Sequence, residues 1–266
     1  MQEIIFSSSD KALNKEISKL EKNGTIQKIA PRIYTSNLDD NPENIIRRNL
    51  FMIVGKLYPG SVLSHRSAME FKPTSANQIF LTYTYTKNIQ LPGITLRFLQ
   101  GAGPIEGDNP ITEGLFVSQL ERALLENIQI SRKPGPESKT LTLSEIEAKL
   151  DQVARVRGHE GLNNIRDKSR QIAEILGMQS EFEKLNKLIS AFLTTHPSKI
   201  LTSPLAMARA FGLPYDPKRI PVFESLFIEL KKNEFNDVQD KNNSDESFRN
   251  FAFFESYFSN YIEGTE

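Results

Sequence analysis

A serine and a glutamate near the C-terminus are the residues best placed to do chemistry. Ser259 and Glu263 stand four positions apart, and Gly264 follows at once. On a helix that spacing sets the hydroxyl and the carboxylate on one face, one turn apart. Gly264 marks where such a helix stops. The approach to this pair is aromatic, with Phe248, Phe251, Phe253, Phe254, Tyr257 and Phe258 in close succession. A second group is basic: Lys11, Lys15, Lys19 and Lys22 recur at four-, four- and three-residue spacing. On a helix they form a stripe beside an apolar one, and with Arg32 in the segment that follows they are candidate contacts to nucleic-acid phosphates. The plainer reading of the stripe is a solvated lysine face, and both readings stay open. Residues 1–35 carry 6 basic and 4 acidic side chains, a small excess for a DNA binder.

Other groups invite chemistry and lack what it needs. Ser64-His65-Arg66-Ser67 brings a hydroxyl next to an imidazole. No carboxylate lies at a spacing that would orient His65, so Ser64 is expected to cap a helix rather than act as a nucleophile. The stretch from Gly101 to Gly107 misses the spacing of a phosphate loop, Pro104 removes an amide donor, and no lysine follows. A turn-rich connection is expected there. His196 reads as a loop residue and His159 as part of a turn. With no cysteine and three scattered histidines, no metal site is expected.

The terminal pattern resembles the S/T-x-x-x-E-G/N inhibitory motif of Fic proteins, which transfer AMP from ATP onto target hydroxyls. Three further stretches resemble the N-terminal region of a bacterial subset of that family: Gly101 to Gly107, Leu162 to Asp167, and Ser203 to Arg209. In that subset an antitoxin-like module precedes the catalytic core, and the resemblance spans most of the chain. It implies that Glu263 pairs with an arginine of the catalytic motif and obstructs the γ-phosphate of ATP. Ser259 would support it and Gly264 would end the helix. The physics agrees, since a carboxylate there occupies a phosphate-binding arginine and adds like-charge repulsion. The catalytic motif, H-x-F-x-D/E-G-N-x-R, does not occur: His196-Pro197 is followed by none of its residues. This chain alone is therefore not expected to transfer AMP. ATP with magnesium is implied only for a complete Fic core, supplied in cis or in trans. Tyr34, Pro59 and Ser64 to Ala68 also look like abortive-infection antitoxins, whose N-terminal winged helix represses their own operon. That resemblance implies a DNA-binding transcriptional regulator as the alternative, and a protein-interaction scaffold is the third.

The elements that must position these residues are legible in part. Residues 10–24 read as an amphipathic helix capped by Ser9 or Asp10 and closed by Gly24, with Leu13, Ile17 and Leu20 as its apolar positions. Residues 25–35 alternate like a two-stranded ribbon broken at Ala30-Pro31-Arg32. Helix and ribbon together make the tail half of a winged helix. A single helix is expected over 42–58, a short one from Ser64 to Phe71, and strands over 79–84 and 94–99 around a turn at Leu91-Pro92-Gly93. Gly114 to Val117 reads as a strand, and Ser118 as the cap of a helix reaching Ile130. Two prolines and a glycine between Ser131 and Lys139 mark a boundary. Beyond it Ser144 and Glu147 form a capping box, and helices fit 161–176, 178–194, 203–211, 217–232 and 246–262.

The expected fold class is α+β. Its parts are a partial winged-helix module over 1–37, an α+β antitoxin-like domain over 38–131, a helical domain over 140–232, a linker over 233–245 and an inhibitory helix over 246–266. The chain has 266 residues, with 33 basic and 33 acidic side chains, so bulk electrostatics select no partner. Absent cysteine fits a reducing compartment, and no run of about 18 apolar residues could cross a membrane. A cytoplasmic location follows as the default expectation.

Overall fold

The computed structural model describes residues 2–131, 135–193, 201–204, 206–207, 220–233, 244–246 and 248–254. They form an α+β protein that divides into two compact units, Met1–Tyr215 and Asp216–Glu266.

The first unit begins with strand β1 (Ile4–Phe6), helix α1 (Lys11–Lys22) and strands β2 (Gln27–Ala30) and β3 (Ile33–Thr35). Asp10 caps α1 by accepting from the Ala12 amide at 2.8 Å. The three strands form an antiparallel sheet in the order β1-β3-β2. β1 is too short to announce itself by alternation, and it supplies the outer strand that the ribbon pattern alone did not suggest. Helices α2 (Pro42–Arg48) and α3 (Leu50–Leu57) replace the single helix expected over 42–58. The break falls at Asn49, which has φ −103° and ψ 8°. Its side chain donates to Glu3 at 2.8 Å and to the Ile45 carbonyl at 2.9 Å, so a contact from the far N-terminus holds the break.

A six-stranded mixed sheet follows: β4 (Ser61–Leu63), β5 (Gln78–Tyr83), β6 (Lys87–Leu91), β7 (Ile94–Gln100), β8 (Asn109–Thr112) and β9 (Leu115–Val117). Helix α4 (His65–Glu70) lies between β4 and β5 in sequence. The strand order is β6-β7-β5-β4-β9-β8. The turn at Leu91-Pro92-Gly93 joins β6 to β7 antiparallel, whereas β5 and β7 run parallel. The two strands read from sequence are thus neighbours without being a hairpin. β6 has polar residues at Lys87, Asn88 and Gln90, which hid it.

Ile45, Ile46 and Ile53 of α2 and α3 pack in one buried cluster with Ile79, Leu81, Leu96 and Phe98 of the sheet. Helices α5 (Leu120–Ile128), α6 (Leu143–Leu176) and α7 (Gln179–Leu193) build a second cluster around Leu124, Leu125, Leu150, Leu162, Leu185 and Ile189. α6 bends at Gly158, whose φ of 62° and ψ of −161° are open to glycine and costly to other residues. Its capping box is Thr142 with Glu145, not Ser144 with Glu147. Glu147 is instead fully buried and accepts from the amides of Thr202 and Ser203 at 2.8 and 2.6 Å.

In the second unit, helix α8 spans Ile220–Lys232 and residues 248–254 are helical. Among the described residues no helix is long and apolar enough to cross a membrane.

Candidate functional site

The basic stripe occupies the outer side of α1. At 3.6 residues per turn, Lys11, Lys15, Lys19 and Lys22 fall within about 80° of the helix circumference. Leu13, Ile17 and Leu20 centre nearly opposite, not beside them, and Ile17 is buried against the rest of the fold. All four lysines are exposed. Glu16 and Glu21 lie on the flanks of the stripe, leaving α1 with four cations and two anions. Arg32 is exposed in the β2–β3 turn at φ 66°. Stripe and turn therefore belong to one small module, with the stripe directed away from its packed side.

That module is tied to α2 through Glu3. Its carboxylate accepts from Arg48, from Asn49 at 2.8 Å and from Asn37 at 3.0 Å. Arg48 also bridges to Asp40. The bonds from Arg48, then those from Asn49 and Asn37, pull the Glu3 carboxyl down to about 2. Arg48 likewise lowers Asp40.

A buried polar network holds the middle of the chain together. Arg122 of α5 is almost wholly buried. Its Nε donates to Glu126 at 2.9 Å, and its other nitrogens reach Asp108 and the carbonyls of Ala102 and Gly103. Glu126 also accepts from the His65 amide and the Ser118 hydroxyl, each at 3.0 Å. This corrects two expected caps. Ser118 spends its hydroxyl on Glu126, and α5 starts without a side-chain cap. Ser64 makes no cap bond to α4; its Oγ lies 3.0 Å from His65 Nδ1.

The Ser64–His65 contact has the polarity of a nucleophile pair and none of the access. Gln129 Oε1 can only accept; it takes a bond from Lys139 Nζ at 2.8 Å and lies 3.2 Å from His65 Nε2. The ring proton therefore belongs on Nε2, and Nδ1 accepts from Ser64. Yet Ser64 is fully buried, and the nearest carboxylate, Glu126, bonds the His65 backbone rather than its ring. Burial is the main force lowering the His65 pKa, keeping the ring neutral, with the Glu126 charge opposing it. No substrate could reach this hydroxyl.

The glycine-rich loop shows the same logic. A phosphate cradle presents amide donors. Here the carbonyls of Ala102 and Gly103 point at a guanidinium, and Asp108 takes the amides of Ile105 and Gln119 at 3.0 Å. The loop is a clamp for Arg122. Sequence reasoning missed this network. Its one visible signal was a charged pair, Arg122 and Glu126, one turn apart in a helix that also carries Leu120, Ala123, Leu124, Leu125 and Ile128.

Ser259, Glu263, Gly264 and His196 lie outside the described residues. Upstream of the terminal motif, Phe248 and Phe251 are helical, with 63% and 51% of their surface exposed. On α8 the stripe Phe223, Leu226, Phe227 and Leu230 is exposed as well. Among the described residues no group of histidines and carboxylates is arranged to hold a metal ion. No protein-family model, curated protein or solved structure matches this chain.

Proposed function

We propose that this chain is the regulatory N-terminal portion of a Fic-type protein adenylyltransferase, and that it supplies the inhibitory helix of that enzyme. The observation that carries the reading is the order Ser259-x-x-x-Glu263-Gly264 behind an aromatic approach. The exposed Phe248 and Phe251, and the apolar stripe of α8, support it. Contiguous apolar surface of this kind on a helix is suited to being covered by another domain. The catalytic core, in cis or in trans, would bring ATP, magnesium and the arginine that Glu263 engages. The setting is the cytoplasm.

The test is a reconstitution with the catalytic core in the presence of labelled ATP. The chain alone should label nothing. With the core present, Glu263→Gly should raise auto-modification by an order of magnitude or more, the scale of one charge-assisted contact near the transferring phosphate. Ser259→Ala should do less, because it removes a supporting hydrogen bond worth about 1 kcal/mol. Equal labelling by the wild-type and Glu263→Gly forms would sink the proposal.

The lysine stripe favours a second reading, a DNA-binding regulator of the antitoxin type. Support for it is the placement of four exposed lysines opposite the packed side of α1, ahead of a ribbon that carries Arg32. The two functions can coexist in one protein, since they use different ends of the chain.

A further inference from the structure

We infer that the first unit carries a binding groove for a small amphiphilic anion, such as an acyl or aryl carboxylate, between α4, α5 and α6. The groove has a volume of about 410 Å³, within the range of small-molecule sites. Ala68 and Met69 of α4, Ala123 of α5 and Val153 of α6 line it with apolar surface. Lys149 and Arg157 stand on the α6 wall.

Charge decides the class of ligand. The lining contains no aspartate or glutamate, so its two cations face no compensating carboxylate there. Neither forms an ion pair among the described residues, while other basic residues nearby do: Arg155 holds Asp151 at 2.8 Å, and Arg66 holds Glu70 and Glu145. Along α6 the two stand about 12 Å apart at 1.5 Å per residue, with Val153 between them on the same face. An anionic head can meet either cation while its tail lies on Val153 and Ala68. A neutral ligand would gain the apolar contact only, and a cation would be repelled. Gly158, at the bend of α6, directly follows Arg157, so the end of the cationic wall coincides with the change in helix direction. The groove owes nothing to the C-terminal motif or to the α1 lysines, and it stands or falls separately from the functions proposed above.

The full chain can be titrated calorimetrically with octanoate and with its neutral counterpart, 1-octanol. The sequence contains no tryptophan, so Val156→Trp at the rim adds a single fluorescent reporter. Octanoate should bind and shift that emission to the blue, and should bind at least tenfold more tightly than octanol. Lys149→Gln with Arg157→Gln should weaken octanoate at least tenfold and leave octanol unchanged. Octanol binding also shows that the double variant is folded, and the two single variants repeat the measurement with less perturbation. No octanoate binding, equal affinity for octanol, or octanoate affinity unchanged in the variants would overturn the assignment. So would an acidic amphipathic peptide that shifts the emission where octanoate does not, since the groove would then belong to a protein partner.

Discussion

Arg122 shows how much a single side chain organises in this protein. It neutralises two buried carboxylates, Asp108 and Glu126, and it takes up the carbonyls of two loop residues. Removing one partner from such a group is worse than never having built it, because the remaining charges stay buried without compensation. Arg122→Met should therefore cost about 3–5 kcal/mol, read as a drop in melting temperature. Arg122→Lys should recover only part of it, because one ammonium cannot replace a planar fork that reaches four acceptors. A melting temperature unchanged in Arg122→Met would show that the network adds nothing to stability. Glu147 makes a related point at the other end of the unit: an acidic residue that reads as half of a capping box is instead buried, tying α6 to Thr202 and Ser203.

Among the elements, α1 is the one on which the proposed DNA reading rests. A helix that packs through Ile17 and turns four lysines outward can lie along a phosphate backbone. Each lysine that meets a phosphate releases a counterion, so binding should be weak and strongly salt-dependent. Lys15→Glu with Lys19→Glu should abolish any footprint on the protein's own promoter, and wild-type binding should fade by about 200 mM salt. A footprint equally strong in the variant would assign the stripe to solvent. The variant should fold normally, since both side chains are exposed and Ile17 is untouched. α6 behaves differently. It continues through the bend at Gly158, where the sequence suggested only a turn, because its apolar residues pack against both α5 and α7 in one cluster.

For the molecule as a whole, the balance of 33 basic and 33 acidic residues leaves long-range electrostatics nearly silent, and local pairs govern the response to pH. Glu3 is the clearest case. Arg48, Asn49 and Asn37 hold its carboxyl at about 2 in the folded chain, below its ordinary value of 4.5. A group lowered on folding contributes stability that is present above its unfolded value and lost as pH falls towards its folded value. The attachment of the N-terminal module should therefore loosen between about pH 4.5 and 2. Hydrogen exchange over residues 2–36 should lose protection, measured against the intrinsic amide rate at each pH, in that window. Glu3→Gln should show fast exchange at neutral pH as well. His65 acts separately, at the α4–α5 contact and from a higher pH. Its pKa is lowered by burial, so the stability of its neutral form is progressively lost as pH falls below the ordinary histidine value of 6.5. Exchange in Glu3→Gln no faster than in the wild type would show that the clasp does not hold the module.

Much of the local structure is legible in residue order, because it depends on neighbours a few positions away. The α+β class, the helix over 11–22 with its Asp10 cap, the ribbon turning at Arg32 and the β6–β7 turn at Pro92-Gly93 all rest on short-range propensities and caps. The terminal serine, glutamate and glycine are likewise legible as a spacing. What residue order left open depends on partners tens of positions apart. β1 is a strand because β3 pairs with it, and α2 ends at Asn49 because Glu3 reaches across to hold it. Ser64 and Ser118 give up their expected caps because His65 and Glu126 compete for their hydroxyls in a dry interior, where each polar group takes its best acceptor or donor. Nor could spacing reveal that Lys149 and Arg157 line one groove with Ala68 and Ala123. Their meeting follows from α6 packing beside α5, and helix packing is settled by the shape of buried surfaces rather than by the order of residues along the chain.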